Sequence, residues 1–327
     1  MYNNPIISFF IRSRLIFFKI KNGLFLKKGK EFLHQKKNED RLIIFDFSNP
    51  KYIHYGDILF FLPLLYIISK NSLLRISVIV NIDRFNFLQF ILNSVDSKIN
   101  LRVINNSTEL PCHSIIITSP YNLFDYTDNS LYIVGLGNPS SSLDIPYPIY
   151  LADIFLKNIL NSYITKNEIE QHFNDWREKF KDLFKNTITS YTGDNLIWVC
   201  PYISSGRFRD FFSIKYRSII QYAIVQGSIR GLCLALVGSN NDNKKLINSR
   251  MVVDYRGHEI LDMMILANSS YVKMGIGFDN FWMHFFDLIN KQYIVKFRGR
   301  FSKSQHMLHL NSINISFLSA KNKRTYI

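Results

Sequence analysis

The chain has 327 residues, enough for two medium domains. Hydrophobic residues make up 47% and charged residues 20%, which excludes a disordered chain. A net charge of +15 points to an anionic partner, whether nucleic acid, anionic lipid or a polyanionic substrate. The cysteines Cys112, Cys200 and Cys233 show no CxxC spacing, which argues against zinc or a disulfide framework and fits a reducing cytoplasm.

The N-terminal stretch carries apolar runs, Ile6–Ile11 and Leu15–Ile20, broken by Arg12, Arg14, Lys19 and Lys21. No run is long enough to span a bilayer, and the order of charges is wrong for a signal peptide. Ile6 to Lys30 reads as a basic amphipathic segment. It suits an anionic membrane surface, or equally a helix packed on the first domain with its lysines in water.

Leu42–Phe47 reads as a buried strand, followed by Gly56-Asp57 and a helix from about Ile58 to Lys70 that Pro63 would kink. Ile76–Val80 is a strand and Asp83–Leu92 a helix. Leu101–Ile104, Ser114–Thr118 and Leu131–Val134 are further strands, and Pro146 to Leu160 is an apolar helix. Lys166–Lys185 is helical in period, with Ile169, Phe173, Trp176, Phe180 and Phe184 spaced at threes and fours.

A second half restarts at Asn195 with a buried strand. A loop Ile203–Arg209 leads to a helix Ile214–Gln226 and a strand Leu232–Val237. Short strands at Val252-Val253, Tyr271–Met274 and Tyr293–Phe297 alternate with helices at Glu259–Ala267 and Phe281–Ile289. Alternating strand and helix is the signature of parallel sheets covered on both faces. The expected layout is a basic N-terminal segment (1–40), a first α/β domain (41–165), a linker helix (166–190) and a second α/β domain (191–327).

Three strand-to-helix turns stand out: Gly56-Asp57, Ser204–Arg209, and the stretch from Gly275 through Gly277 to Asp279-Asn280. The first amides of a helix lack internal partners and the helix dipole is positive there, so such turns suit phosphates. Together they point to a nucleotide-linked substrate held between two α/β domains.

These motifs resemble the heptosyltransferase-like glycosyltransferases, family nine. Gly56-Asp57 with Pro63 resembles their "GD…PLL" opening. NLIWVCPYISSGRFRDF resembles their strand and phosphate loop, and LALVGSNND the strand ending in glycine. GHEILDMMILANSSYVKMGIGFDNFWMH resembles the helix, strand and donor-holding turn. The likeness covers roughly residues 42–300. It implies the GT-B architecture, two Rossmann-like domains with parallel sheets facing across a cleft. It also implies an inverting, metal-independent transfer of a sugar from a nucleotide-activated donor to a bacterial lipopolysaccharide core, O-antigen or capsule. Phe281 departs from the family, which usually has glycine there.

The resemblance assigns roles residue by residue. Asp57 matches the catalytic aspartate, with Gly56 and Tyr55 on the acceptor side. Arg207 or Arg209 stands in the place of the donor-binding lysine. Gly277, Asp279 and Asn280 form the donor turn, His284 reaches sugar or phosphate, and Glu259 reaches ribose hydroxyls. Each also has a plainer reading. Asp57 suits a helix cap, the arginines suit solvated loop charges, His284 a core position and Glu259 a first-turn acid. Asp125 and Asp128 suit a turn better than a metal pair. No cofactor, metal or nucleic acid is expected. The expected partners are a nucleotide-sugar donor, a glycan or glycolipid acceptor and the anionic cytoplasmic face of the membrane. The rival readings are a catalytically degenerate subunit that binds glycan or a partner, and a basic nucleic-acid-binding protein.

Overall fold

Strands that are apolar along their whole length belong inside a sheet covered on both faces, and two such strands, Leu42–Phe47 and Leu196–Cys200, seed two separate sheets. The computed structural model describes residues 19–21, 24–28, 42–49, 53–71, 75–95, 99–103, 114–118, 132–136, 147–160, 164–201, 213–238, 251–278, 280–296 and 312–314. The chain divides into two compact units, Met1–Leu183 and Phe184–Ile327.

The first unit contains β1 (Lys19–Lys21), β2 (Leu24–Lys28), β3 (Leu42–Phe47), α1 (Tyr55–Asn71), β4 (Arg75–Val80), a 3-10 turn (Ile82–Arg84) and α2 (Phe85–Leu92). Then come β5 (Asn100–Val103), β6 (Ile115–Thr118), β7 (Tyr132–Leu136), α3 (Tyr147–Phe155) with a π-helical extension (Leu156–Leu160), and α4 (Lys166–Lys185). The sheet order is β1-β2-β7-β6-β3-β4-β5. The five strands from β7 to β5 run parallel, with Ile43 beside Ile76 on one side and Ile115 on the other. β3 is the centre, and Ile43, Phe45 and Phe47 have no exposed surface. The chain builds outward to β5 and then returns to the other side at β6.

Here the structure corrects the reading of the N-terminal segment. Residues 19–21 and 24–28 are strands, not a surface helix. β1 and β2 pair antiparallel, and β2 pairs antiparallel with β7. The register sets Lys21 opposite Leu24, so two residues join the strands. They are Asn22-Gly23, a dipeptide that favours two-residue hairpins. Alternation through Lys-Ile-Lys and the Leu-Phe-Leu run then wins over a helical period. The rest of 1–41 lies outside the described residues.

α1 starts three residues earlier than its apolar period suggests and runs unbroken through Pro63 to Asn71. α4 matches its expected bounds. Its start is a capping box: the Glu168 carboxylate accepts from the Thr165 amide at 2.8 Å, and Thr165 Oγ1 accepts from the Glu168 amide at 3.3 Å. Ile169, Phe173, Trp176, Phe180 and Phe184 form its buried stripe. Trp176 Nε1 donates to Ser94 Oγ at 3.2 Å, which ties this helix to the first unit.

The second unit contains β8 (Leu196–Cys200), α5 (Ser213–Arg230), β9 (Cys233–Leu236), β10 (Val252–Asp254), α6 (Ile260–Asn268), β11 (Val272–Phe278), α7 (Phe281–Leu288), β12 (Tyr293–Lys296) and β13 (Ser312–Asn314). The order is β10-β9-β8-β11-β12-β13, and every pairing is parallel. In order of appearance that is 3-2-1-4-5-6, the doubly wound Rossmann arrangement. Ile197, Val199, Leu234, Leu236, Met274, Ile276 and Phe278 share one core with Ile219 and Ala223 of α5.

β11 overturns a second expectation. The apolar run does not stop at its glycines but continues to Phe278. Gly275 and Gly277 are inside the strand, where a Cβ would collide. At Gly275 it would meet the rings of Tyr293 and Phe286; at Gly277 it would meet the Cys200 carbonyl oxygen and the Tyr293 hydroxyl. These glycines admit close packing.

Candidate functional site

In a doubly wound sheet, ligands bind beyond the carboxyl ends of the strands where the strand order reverses. In the first unit that point is the end of β3, beside β6. In the second it is the end of β8, beside β11. Asp57 follows the first of these ends, and Asn280 is hydrogen-bonded to Cys200 at the second.

In the first unit the chain leaves β3 through Asp46, whose Oδ1 accepts from the Ser48 amide at 2.9 Å. It then turns into α1. Ile58 donates to the His54 carbonyl at 3.2 Å, the first helical bond, so His54 occupies the cap position. Asp57 is three residues on, and its Oδ2 accepts from the His54 amide at 2.8 Å. This is the returning half of a capping box. Among the described residues no donor meets Oδ1. Asp57 is exposed at its surface, yet dense protein surrounds it. That surrounding protein raises its pKa, opposed by the His54 amide and by the charges of His54 and Arg84. The result is a carboxylate with one oxygen anchored, the other without a donor among the described residues, and more basicity than an ordinary aspartate.

Tyr55 and Gly56 lie in the same first turn of α1 and are half-buried. The Tyr55 ring meets Phe87 edge-on at 4.8 Å and lies 4.9 Å beneath the Arg84 guanidinium. Arg84 is buried and donates from Nη1 to the Ile53 carbonyl at 2.6 Å. Burial lowers its pKa, opposed by Tyr55, Asp57 and Asp83. Arg84 is the residue that sequence reasoning missed. It follows Asn81, whose side chain accepts from the Asp83 amide at 2.8 Å and so starts the 3-10 turn. Nothing in a count of basic residues separates Arg84 from the others.

In the second unit the ends of β8 and β11 are tied by Asn280. Its Oδ1 accepts from the Trp282 amide at 3.0 Å, which caps α7, and its Nδ2 donates to Cys200 Sγ at 3.2 Å. Tyr293 donates from its hydroxyl to the Phe278 carbonyl at 3.3 Å. Asn280 therefore already serves one of the amides expected to meet a phosphate. Gly277 lies within the ladder between Cys200 and Val295 rather than at an open turn. Its identity is explained by the close approach of Cys200 and Tyr293, which corrects its expected role as a turn glycine. Phe281 stacks on Phe285 with centroids 6.1 Å apart and planes 7° apart, and meets Trp282 at 5.0 Å. Its ring thus packs along its own helix. His284 is half-buried in the same helix.

Glu259 is the exposed cap residue of α6 and makes no capping hydrogen bond with its side chain. Gly257, with φ of 82°, precedes it, and its amide donates to the Gly238 carbonyl at 2.9 Å. This joins the start of α6 to the exit of β9. Arg207, Arg209 and Asp279 lie outside the described residues, as do Asp125 and Asp128. Among the described residues no group of three or more His, Cys, Asp or Glu side chains is gathered for a metal ion. Among them, too, no helix is long and apolar enough to cross a membrane.

No family model matches the sequence, and no curated protein matches it. Several solved structures are similar in fold. A glycosyltransferase of family 9 from Veillonella parvula is 11% identical, with a TM-score of 0.49 over 88% of this chain and 93% of that one. The E. coli heptosyltransferase WaaC with ADP-2-deoxy-2-fluoro heptose is 9% identical, with a TM-score of 0.48 over 84% and 92%. A UDP-GlcNAc 2-epimerase from Methanocaldococcus jannaschii is 11% identical, with a TM-score of 0.43 over 80% and 85%.

Proposed function

We propose that this chain is a glycosyltransferase that moves a sugar from a nucleoside diphosphate to a hydroxyl of a surface glycan, such as a lipopolysaccharide core, O-antigen or capsule. The observation that carries the reading is Asp57. It is a carboxylate at the reversal point of the first sheet, anchored through one oxygen, open at the other and raised in pKa. The order of sequence motifs shared with the heptosyltransferase-like family supports it.

In this reading the acceptor hydroxyl attacks the anomeric carbon as the bond from that carbon to the diphosphate oxygen breaks. The hydroxyl proton passes to Asp57 Oδ1. A single displacement inverts the anomeric configuration. Negative charge grows on the departing diphosphate, and Arg207 and Arg209, in the segment between β8 and α5, are assigned to stabilise it without a metal. The first unit takes the acceptor and the second the donor. The basic excess of the chain holds it at the anionic cytoplasmic face of the membrane.

The test is a melting experiment with ADP, GDP and UDP, and CMP as control. A ligand that binds only the folded state raises the melting temperature. An ADP-linked sugar is the first donor to try. Asp57→Asn is expected to keep the nucleotide response and lose transfer. If no nucleotide stabilises the chain, the proposal falls. A second reading, a subunit without turnover, is favoured by one fact: the Asp57–His54 bond is a sufficient structural reason for an acid at that position. It expects no transfer from any donor, with Asp57→Asn changing nothing but stability.

A further inference from the structure

Among the described residues Arg84 is the most deeply buried cation beside the first site, 5% exposed, at the end of the turn that follows β4. A guanidinium is tolerated there only if its donors find partners. They reach back 31 positions, to the Ile53 carbonyl at 2.6 Å. The guanidinium carbon also lies over the Tyr55 ring, 4.9 Å from its centroid. Ile53 and Tyr55 bracket His54, and the His54 amide is the donor that anchors Asp57. Three consecutive residues are thus held from two sides, the outer two by Arg84 and the middle one by Asp57. A planar fork that also stacks can do this; a lysine ammonium cannot.

We propose that Arg84 is the positioning residue of Asp57: its grip on Ile53 and Tyr55 fixes the backbone that aims the carboxylate, and its charge favours the ionised form. The proposal rests on the reading of Asp57 as the base. Among the described residues, His54 and Arg84 are the charged groups that act on Asp57, while Tyr55, Asp57 and Asp83 act on Arg84.

The test follows the Asp57 carboxyl by carbon NMR in the full chain, assigned by its loss in Asp57→Asn. Arg84→Met is expected to move the Asp57 midpoint up by about one pH unit, the scale of a lost opposite charge nearby. Tyr55→Leu keeps the charge but removes the ring, and is expected to move the midpoint the same way by less. It decides the matter alone if Arg84→Met does not fold. An unchanged midpoint in a folded variant, with far-UV circular dichroism like the parent, overturns the role of Arg84. The nucleotide melting panel on the same samples separates the two claims. A shifted midpoint with no nucleotide response sinks sugar transfer but leaves the Arg84 grip standing; a nucleotide response with an unchanged midpoint does the reverse.

Discussion

Asn280 donates from Nδ2 to Cys200 Sγ at 3.2 Å, and so links the ends of the two central strands of the second sheet. The same side chain caps α7 through the Trp282 amide. Asn280→Ala removes both bonds and is expected to cost about 1–2 kcal/mol in urea unfolding. Asn280→Asp keeps an acceptor for the cap but loses the donor to sulfur, so its loss should be smaller. Equal stability of the alanine variant and the parent would show that the link contributes nothing.

The glycines of β11 predict a second ordering. Gly277→Ala drives a methyl into the Cys200 carbonyl and the Tyr293 hydroxyl. The carbonyl belongs to a central strand and cannot yield cheaply, so a loss of about 1–3 kcal/mol is expected. Gly231 has φ of 63° with nothing within 4 Å of its would-be Cβ, so Gly231→Ala meets backbone strain alone, about 1–2 kcal/mol. Chemical denaturation of the two variants tests the order, and Gly231→Ala should be the milder.

Asp57 carries a prediction about pH. Its folded pKa is raised, so between the ordinary value of 3.8 and the higher folded value the folded chain holds a proton that the unfolded chain has released. Stability from this group therefore falls as pH rises through that window. Transfer should behave in the opposite way, failing as pH drops because the base becomes protonated, and failing earlier than an ordinary aspartate would allow. Asp57→Asn should remove the stability dependence and abolish transfer at every pH. Asp57→Ala should in addition lose about 1 kcal/mol of helix capping. Rates and melts from about pH 4 to 8, roughly the range spanned by carboxylates raised by burial, measure this.

Lys291 closes the far end of α6. Its Nζ donates to the carbonyls of Ala267, Asn268, Ser269 and Val272, at 2.8, 2.9, 2.6 and 3.0 Å. Burial, helped slightly by Lys273, lowers its pKa from 10.5 to about 8. Between those values the unfolded lysine holds a proton that the folded one has lost, so the contribution of this group to stability rises with pH across the interval. Lys291→Met should abolish that slope. It should also cost about 1–3 kcal/mol at neutral pH, by stripping carbonyls of their donor. A parent stability curve that is flat from about pH 8 to 10.5 would contradict it.

Much of this fold is legible in the sequence because its signals are local. The stripe from Ile169 to Phe184 marks α4 by period alone, and Leu42–Phe47 and Leu196–Cys200 announce themselves as central strands. The failures share a cause. The β1–β2 hairpin is hidden by lysines that suggest a membrane surface, although Asn22-Gly23 signals the reversal. Gly275 and Gly277 resemble a strand's end because the aromatic ring that demands them, Tyr293, arrives from another strand. Arg84 matters through partners 29 and 31 positions away, Tyr55 and Ile53, and no periodicity encodes such a contact. Asp57 stands out in the sequence as a candidate, but its hold on the His54 amide does not.

β2 runs antiparallel along the whole of β7, from Leu24 opposite Leu136 to Lys28 opposite Tyr132. An unpaired sheet margin is a template for strands from other molecules. Among the described strands, β2 covers that margin of β7. Trimming the chain to begin after Lys28 would bare the Ile133–Val134 ladder to strands from other molecules, read directly as aggregation in light scattering.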